Sequence, residues 1–201
     1  MSLAVQIMMG VSLAACAGLR AWLPVLAVGL LGRAGYLPLE PRFMFLTHVS
    51  TLTVVAIAAA LEMLGDKFIT LDHALDAFGT LARPAAGAVL ATSTMTHANP
   101  DMAALIGIAL GGGTALTLHA GKAAARAHST ALAPFHAGAG NMALSIGEDA
   151  VAIIGIAAAA VAPVFSFCIV IAALCVSVWL VTVAIRHGAR LMSFLRRSPA
   201  G

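Results

Sequence analysis

The run VFSFCIVIAALCVSVWLVTVAI, residues 164–185, decides the fold class, because it holds no charged side chain. A helix rises about 1.5 Å per residue, so about 20 apolar residues cross the roughly 30 Å hydrocarbon core of a bilayer. The rest of the chain has the same character: it is 61% hydrophobic and 9% charged, with a mean hydropathy of +1.01. Soluble domains usually carry about 25% charged residues. A chain this poor in charge cannot cover a water-facing surface, which implies an integral membrane protein. In hydrocarbon every backbone N–H and C=O must pair internally, which leaves helices or closed barrels. Barrel strands alternate apolar and polar residues, whereas these runs are continuous and rich in Ala and Leu. The expected class is all-α.

Outward from residues 164–185, further apolar runs cover 143–162, 102–121 and 49–65. The first has Glu148 and Asp149 near its start, the second is interrupted by Gly111, Gly112 and Gly113, and the third runs into Glu62 and Asp66. Residues 3–32 are too long for one straight crossing and contain Arg20 and Pro24. They form either one long tilted helix or two half-helices meeting near Arg20. Residues 71–96 carry Arg83 and Pro84 in their middle, and a proline there removes a helical hydrogen bond and kinks or breaks the helix.

The expectation is a single helical membrane domain over residues 1–201, with about six segments, two of them broken. An even number puts both termini on one side. The tail 187–201, with Arg190, Arg196 and Arg197 following Arg186, assigns that side to the cytoplasm of a cell inner membrane. Arg33 and Arg42 then face outward, against that trend. The segments GVSLAACAGLRAWL (10–23) and GIALGGGTALTLHA (107–120) align without gaps, small residues on small. Half-repeats 1–98 and 99–201 with three crossings each would be inverted, an arrangement found in transporters. Ala/Gly-rich helices also resemble one another by composition alone.

The charges concentrate. Of eight acidic residues, Glu62, Asp66, Asp72 and Asp76 lie within EMLGDKFITLDHALDAF, in two pairs spaced i, i+4, so that each pair shares a helix face. Glu148 and Asp149 add two more, and the candidate basic partners are Arg20, Lys67, Arg83, His119, Lys122 and Arg126. In HAGKAAAR, His119, Lys122 and Arg126 stand at i, i+3 and i+7 on one helix face, placed to meet the acidic pairs. An ionisable group inside a bilayer costs at least about 2.5–3.5 kcal/mol on insertion scales unless it finds water or a partner. Two readings follow: the groups pair to fix helix packing, or they line a polar cavity. The surplus of acids favours a cation or a proton as occupant, with Glu62 and Asp66 holding it and Asp72 and Asp76 steadying the basic face.

Several classes drop out. Cys16, Cys168 and Cys175 lie in apolar runs and, being odd in number, give no disulfide framework. LAAC at 13–16 resembles a lipoprotein cleavage site, but residues 2–12 lack the Lys or Arg of a signal peptide. No zinc-protease, Cys-x-x-Cys, nucleophile-elbow or phosphate-loop motif is present, and an enzyme is the last choice. His119, His128 and His136 lack the spacing of zinc ligands. No cofactor is expected beyond a bound cation, and no metal is assigned. The basic tail reads as a topology signal rather than a nucleic-acid patch. The expected partners are the lipid bilayer, a small ion or polar substrate, and a second copy of the chain.

The stretches AACAGLRAWLPVLAVGLLGRAG, LEMLGDKFITLDHALDAFGTLARPAAGAVLA, HAGKAAAR and SIGEDAVAI resemble a bacterial family of small membrane proteins named only as domain of unknown function 4126. The resemblance runs to about residue 165. Its motif positions are matched by Gly18, Leu19 and Arg20, by Glu62, Asp66, Lys67, Asp72 and Asp76, and by Arg83, Pro84, His119, Lys122, Arg126, Glu148 and Asp149. The family name implies no activity. EMLGDKF is also loosely similar to the Glu-x-Gly-Asp-Lys/Arg-Ser/Thr hallmark of cation/proton exchangers, with one residue too many before the glycine and no hydroxyl residue. The leading expectation is a small inner-membrane transporter or channel for a cation or proton. The alternatives are a protein that binds lipid or polar head groups, and a structural subunit of a membrane complex.

Overall fold

The computed structural model describes the backbone of residues 1–65, 69–132 and 137–197, and side chains at 1–65, 79–126 and 145–187. Asp66 and Lys67 lie outside the described residues; Asp72 and Asp76 lie on a described helix, outside the described side chains. Every regular element among the described residues is helical. The helices are α1 (Leu3–Leu19), α2 (Trp22–Arg33), α3 (Val49–Gly65), α4 (Ile69–Ser93), α5 (Pro100–Ile106), α6 (Gly113–Leu132), α7 (Ala137–Val161) and α8 (Pro163–Arg197). A 3-10 segment (Pro41–Thr47) precedes α3, and a π-helical turn (Gly107–Gly112) joins α5 to α6.

Two runs, Pro100–Arg126 and Pro163–His187, are long and apolar enough to cross a membrane. A third candidate is the 3-10 segment with α3, bent by 67° between them. Helices α1 and α2 are apolar but shorter.

The chain breaks at Arg20, whose backbone is extended (φ −135°, ψ 112°). Pro24 does not disturb α2, because it sits in the first turn, where an N–H would have no helical acceptor. The two helices do not continue one another; they double back. Helix α1 runs antiparallel to α4, since Gly10 packs on Ala91 and Thr94, and the buried Gln6 donates to Thr96 Oγ1 (2.7 Å) and accepts from the His97 N–H (3.2 Å). The segment after α2 returns to the same end, where the Glu40 N–H donates to the Ser93 carbonyl (2.9 Å). Helices α1 and α2 therefore form a hairpin with Arg20 at its tip.

That end is fastened by Glu40. Its buried carboxylate accepts from the Arg42 N–H (3.0 Å) and Nε (2.9 Å), while the Arg42 guanidinium reaches the Pro100 carbonyl (2.8 Å).

The break expected at Arg83–Pro84 is absent: α4 runs on through Pro84. Packing offsets the cost of an interior proline, about 3 kcal/mol. Past Pro84, α4 is clasped by α1 and the π turn, with Gly87 on Gly111 and Ala115, and Ala91 on Gly10. These glycines let backbones approach where no Cβ would fit.

The segments 10–23 and 107–120 do not have opposite directions. Gly107 packs on Ala88 and Thr92, and Gly111 on Gly87, so α5–α6 is antiparallel to α4 and parallel to α1. Gly10, Gly107 and Gly111 face α4, while Gly18 packs on Ala115 and Leu118 of α6. Helix α8 runs parallel to α6, with Val170 in one cluster with Val11, Ala15 and Leu118, and Ser177 further on against Gly121.

A candidate charged site at the hairpin tip

The tip of the α1–α2 hairpin exposes two sets of backbone groups: the last carbonyls of α1 and the first N–H groups of α2. Each set is met by a side chain of complementary charge. Glu62, on α3, accepts from the Ala21 N–H at Oε1 (3.0 Å) and from the Trp22 N–H at Oε2 (3.2 Å). A carboxylate there suits the positive end of the helix dipole as well as the unpaired donors. Lys122, on α6, donates to the Leu19 carbonyl at 3.3 Å, a cation at the negative end of α1.

Arg20 itself is fully buried. Its Nε lies 2.7 Å from Asp149 Oδ1. Its terminal nitrogens donate to Ser145 Oγ (2.9 Å), the Ser145 carbonyl (3.2 Å) and the Glu62 carbonyl (3.4 Å). A desolvated guanidinium needs its charge balanced and its donors occupied. Asp149 of α7 balances the charge as an ion pair without hydrogen-bond geometry at Nε, and Ser145 and the Glu62 carbonyl take up the terminal nitrogens.

Arg83, 1% exposed, lies 3.5 Å from Glu62 Oε1 and 2.7 Å from His119 Nδ1. A guanidinium has only donors, so at this distance His119 Nδ1 is the acceptor; Nε2 lies 3.4 Å from both Arg83 and Thr80 Oγ1. Gly79 makes room for this guanidinium, since a Cβ there would meet Arg83 at 2.6 Å. Lys122 Nζ and the Arg126 guanidinium converge on Glu148 Oε2, at 2.8 and 3.1 Å.

The sequence-predicted candidates thus gather in one place as far as their side chains are described: Arg20, Glu62, Arg83, His119, Lys122, Arg126, Glu148 and Asp149. Lys122 and Arg126 meet Glu148 of α7. Their expected pairing with Asp72 and Asp76 involves side chains outside the described ones, and the roles given to Asp66 and Lys67 lie outside the described residues. Among the described side chains, four cations (Arg20, Arg83, Lys122, Arg126) face three carboxylates (Glu62, Glu148, Asp149). Sequence reading missed Ser145 and Thr80, which carry no charge, and Trp22, whose N–H rather than indole first ties it to the site.

One member of the cluster also faces open space. Glu62 lines a cavity of about 190 Å³ with Trp22, Ala58, Leu61, Gly79 and Ala82. No group of three or more His, Cys, Asp or Glu residues able to hold a metal occurs among the described residues.

No curated protein and no solved structure matches the chain. Its resemblance to a family is shown independently: the family model described as "Domain of unknown function (DUF4126)" matches residues 7–183, which include the hairpin tip and every charged residue named around it, and the chain belongs to that family.

Proposed function

We propose that this protein is a small transporter of the cell inner membrane, in which Glu62 carries a proton or a cation at the tip of a re-entrant hairpin. The observation that carries the reading is the double position of this carboxylate: buried, holding the first N–H groups of α2, and open to a cavity. Broken helices with charged groups at their facing ends are how transporter folds build ion sites within a bilayer. While ionised, Glu62 anchors α2 and balances Arg83. Taking up a proton or cation removes that charge, weakens both contacts and frees the tip to shift, which couples occupancy to movement.

The topology we propose has five crossing helices (α3, α4, α5–α6, α7 and α8) and the α1–α2 hairpin, which enters and leaves on one side. It replaces the count of about six crossings and separates the termini. The C-terminal end of α8 is cytoplasmic by its arginines, and the N-terminus lies on the opposite side.

The test is ion movement in proteoliposomes carrying an internal pH dye. Wild-type protein should dissipate an imposed proton or cation gradient, and Glu62→Gln should abolish this while keeping helicity and a single gel-filtration peak. Equal flux in the variant, or no wild-type flux of protons, of inorganic mono- and divalent cations or of organic ammonium ions, would turn the reading to head-group binding.

A further inference from the structure

The cavity beside Glu62 has room for more than an ion. A water molecule occupies about 30 Å³ of liquid, so about 190 Å³ admits a body of several heavy atoms. Its described walls are mostly hydrocarbon, from Ala58, Leu61 and Ala82, and Trp22 is among the lining residues. Among the described residues the walls offer one carboxylate, which serves an inorganic cation poorly, because calcium takes about 6–8 oxygen ligands and magnesium a near-octahedral set. An organic ammonium needs the opposite: one carboxylate for the charge, apolar surface for the carbon body, and an aromatic face for cation–π attraction.

The carboxylate has capacity left. Oε1 receives the Ala21 N–H and faces Arg83, whereas Oε2 receives the Trp22 N–H. An ionised carboxylate offers about four acceptor positions, so Oε2 retains one for a further N–H donor, on the oxygen away from Arg83. Leu61, on the cavity rim, is 60% exposed, which leaves a lateral way in.

We infer that the substrate of this site is a small organic ammonium ion, its charged nitrogen on Glu62 Oε2 and its carbon body against Trp22 and the alanine walls. This rests on the reading of Glu62 as the ion-carrying group and narrows it to a chemical class. A proton and the ammonium then compete for one carboxylate.

The experiment uses the full chain in detergent with Trp179→Phe, which leaves Trp22 as the sole indole of the two in the sequence. Trp179 is well exposed, so the exchange disturbs no packed core. Titration with tert-butylammonium should give a saturable change in Trp22 emission; tert-butanol, the neutral compound of the same shape, and sodium and magnesium should give none. Affinity should fall at least about tenfold in Glu62→Gln, and equally in Ala58→Leu, which fills the cavity but keeps every bond of Glu62. The inference is overturned if no saturable change occurs, if tert-butanol, sodium or magnesium matches the ammonium, or if Ala58→Leu binds as wild type does. Glu62-dependent flux without ammonium binding would sink this substrate class and spare the transport reading; ammonium binding without any flux would do the reverse.

Discussion

Arg20 and Asp149 are 129 positions apart in sequence and 2.7 Å apart in space, and the guanidinium of this pair is wholly buried. Removing one partner of such a pair leaves the other charge uncompensated, at a cost of about 3–5 kcal/mol. Asp149→Ala should therefore lower the melting temperature in detergent markedly, with the cost near the lower figure because Ser145 still accepts from Arg20. The double variant Arg20→Met with Asp149→Leu, which removes both charges, should recover much of the loss. A melting temperature in Asp149→Ala equal to that of wild type would mean that the pair does not hold the tip.

The glycines divide into those that are packed and those that are not. A Cβ on Gly87 would lie 2.6 Å from the Gly111 carbonyl oxygen, a backbone atom that cannot swing aside. Gly87→Ala should cost about 1–3 kcal/mol by overpacking. A Cβ on Gly113 meets nothing within 4 Å, so Gly113→Ala should be neutral or stabilise by up to about 1 kcal/mol, as helix propensity dictates. Thermal unfolding of the two variants side by side checks the contrast. Equal effects would contradict the close approach of α4 to the π turn.

The proposed topology makes a prediction that the even-crossing alternative does not share. With Cys16, Cys168 and Cys175 replaced by alanine, single cysteines at Ser2 and Asn99 should react with an impermeant reagent from outside, and one at Ser198 should not. Under the even count, Ser2 would instead behave like Ser198.

Composition and run length made the helical class legible, and Arg20 with Pro24 marked the place where the first apolar region divides. The reversal at that place was not legible, because it depends on where Glu40 lands, against Ser93 on another helix. Pro84 misled for a related reason: its effect on α4 is decided by the glycines of α1 and the π turn. That Arg20, Glu62, Arg83, His119, Lys122, Arg126, Glu148 and Asp149 gather was legible from the cost of leaving ionisable groups unpartnered in so apolar a chain; Asp66, Lys67, Asp72 and Asp76 fall outside the described side chains. The pairings were less legible. Local i, i+4 spacing pointed the basic face of α6 at Asp72 and Asp76, whose side chains lie outside the described ones, and gave no sign of Glu148 of α7, which the structure brings to that face. The cavity beside Glu62 leaves no trace in the sequence, being made by what Ala58, Gly79 and Ala82 lack.

The π turn between α5 and α6 has one further consequence. A π turn houses one more residue than an α-helical turn, and one residue of an α-helix corresponds to about 100° of rotation. The azimuth of everything beyond Gly112 is therefore set by a single extra residue. Deleting one residue from Gly107–Gly112 would let the helix close into regular α geometry and would swing His119, Lys122 and Arg126 about a quarter turn around its axis. Lys122 would leave the Leu19 carbonyl and His119 would leave Arg83, with no charged residue altered. Swapping the charges of this site and changing the length of a glycine run far from them are thus two routes to the same loss.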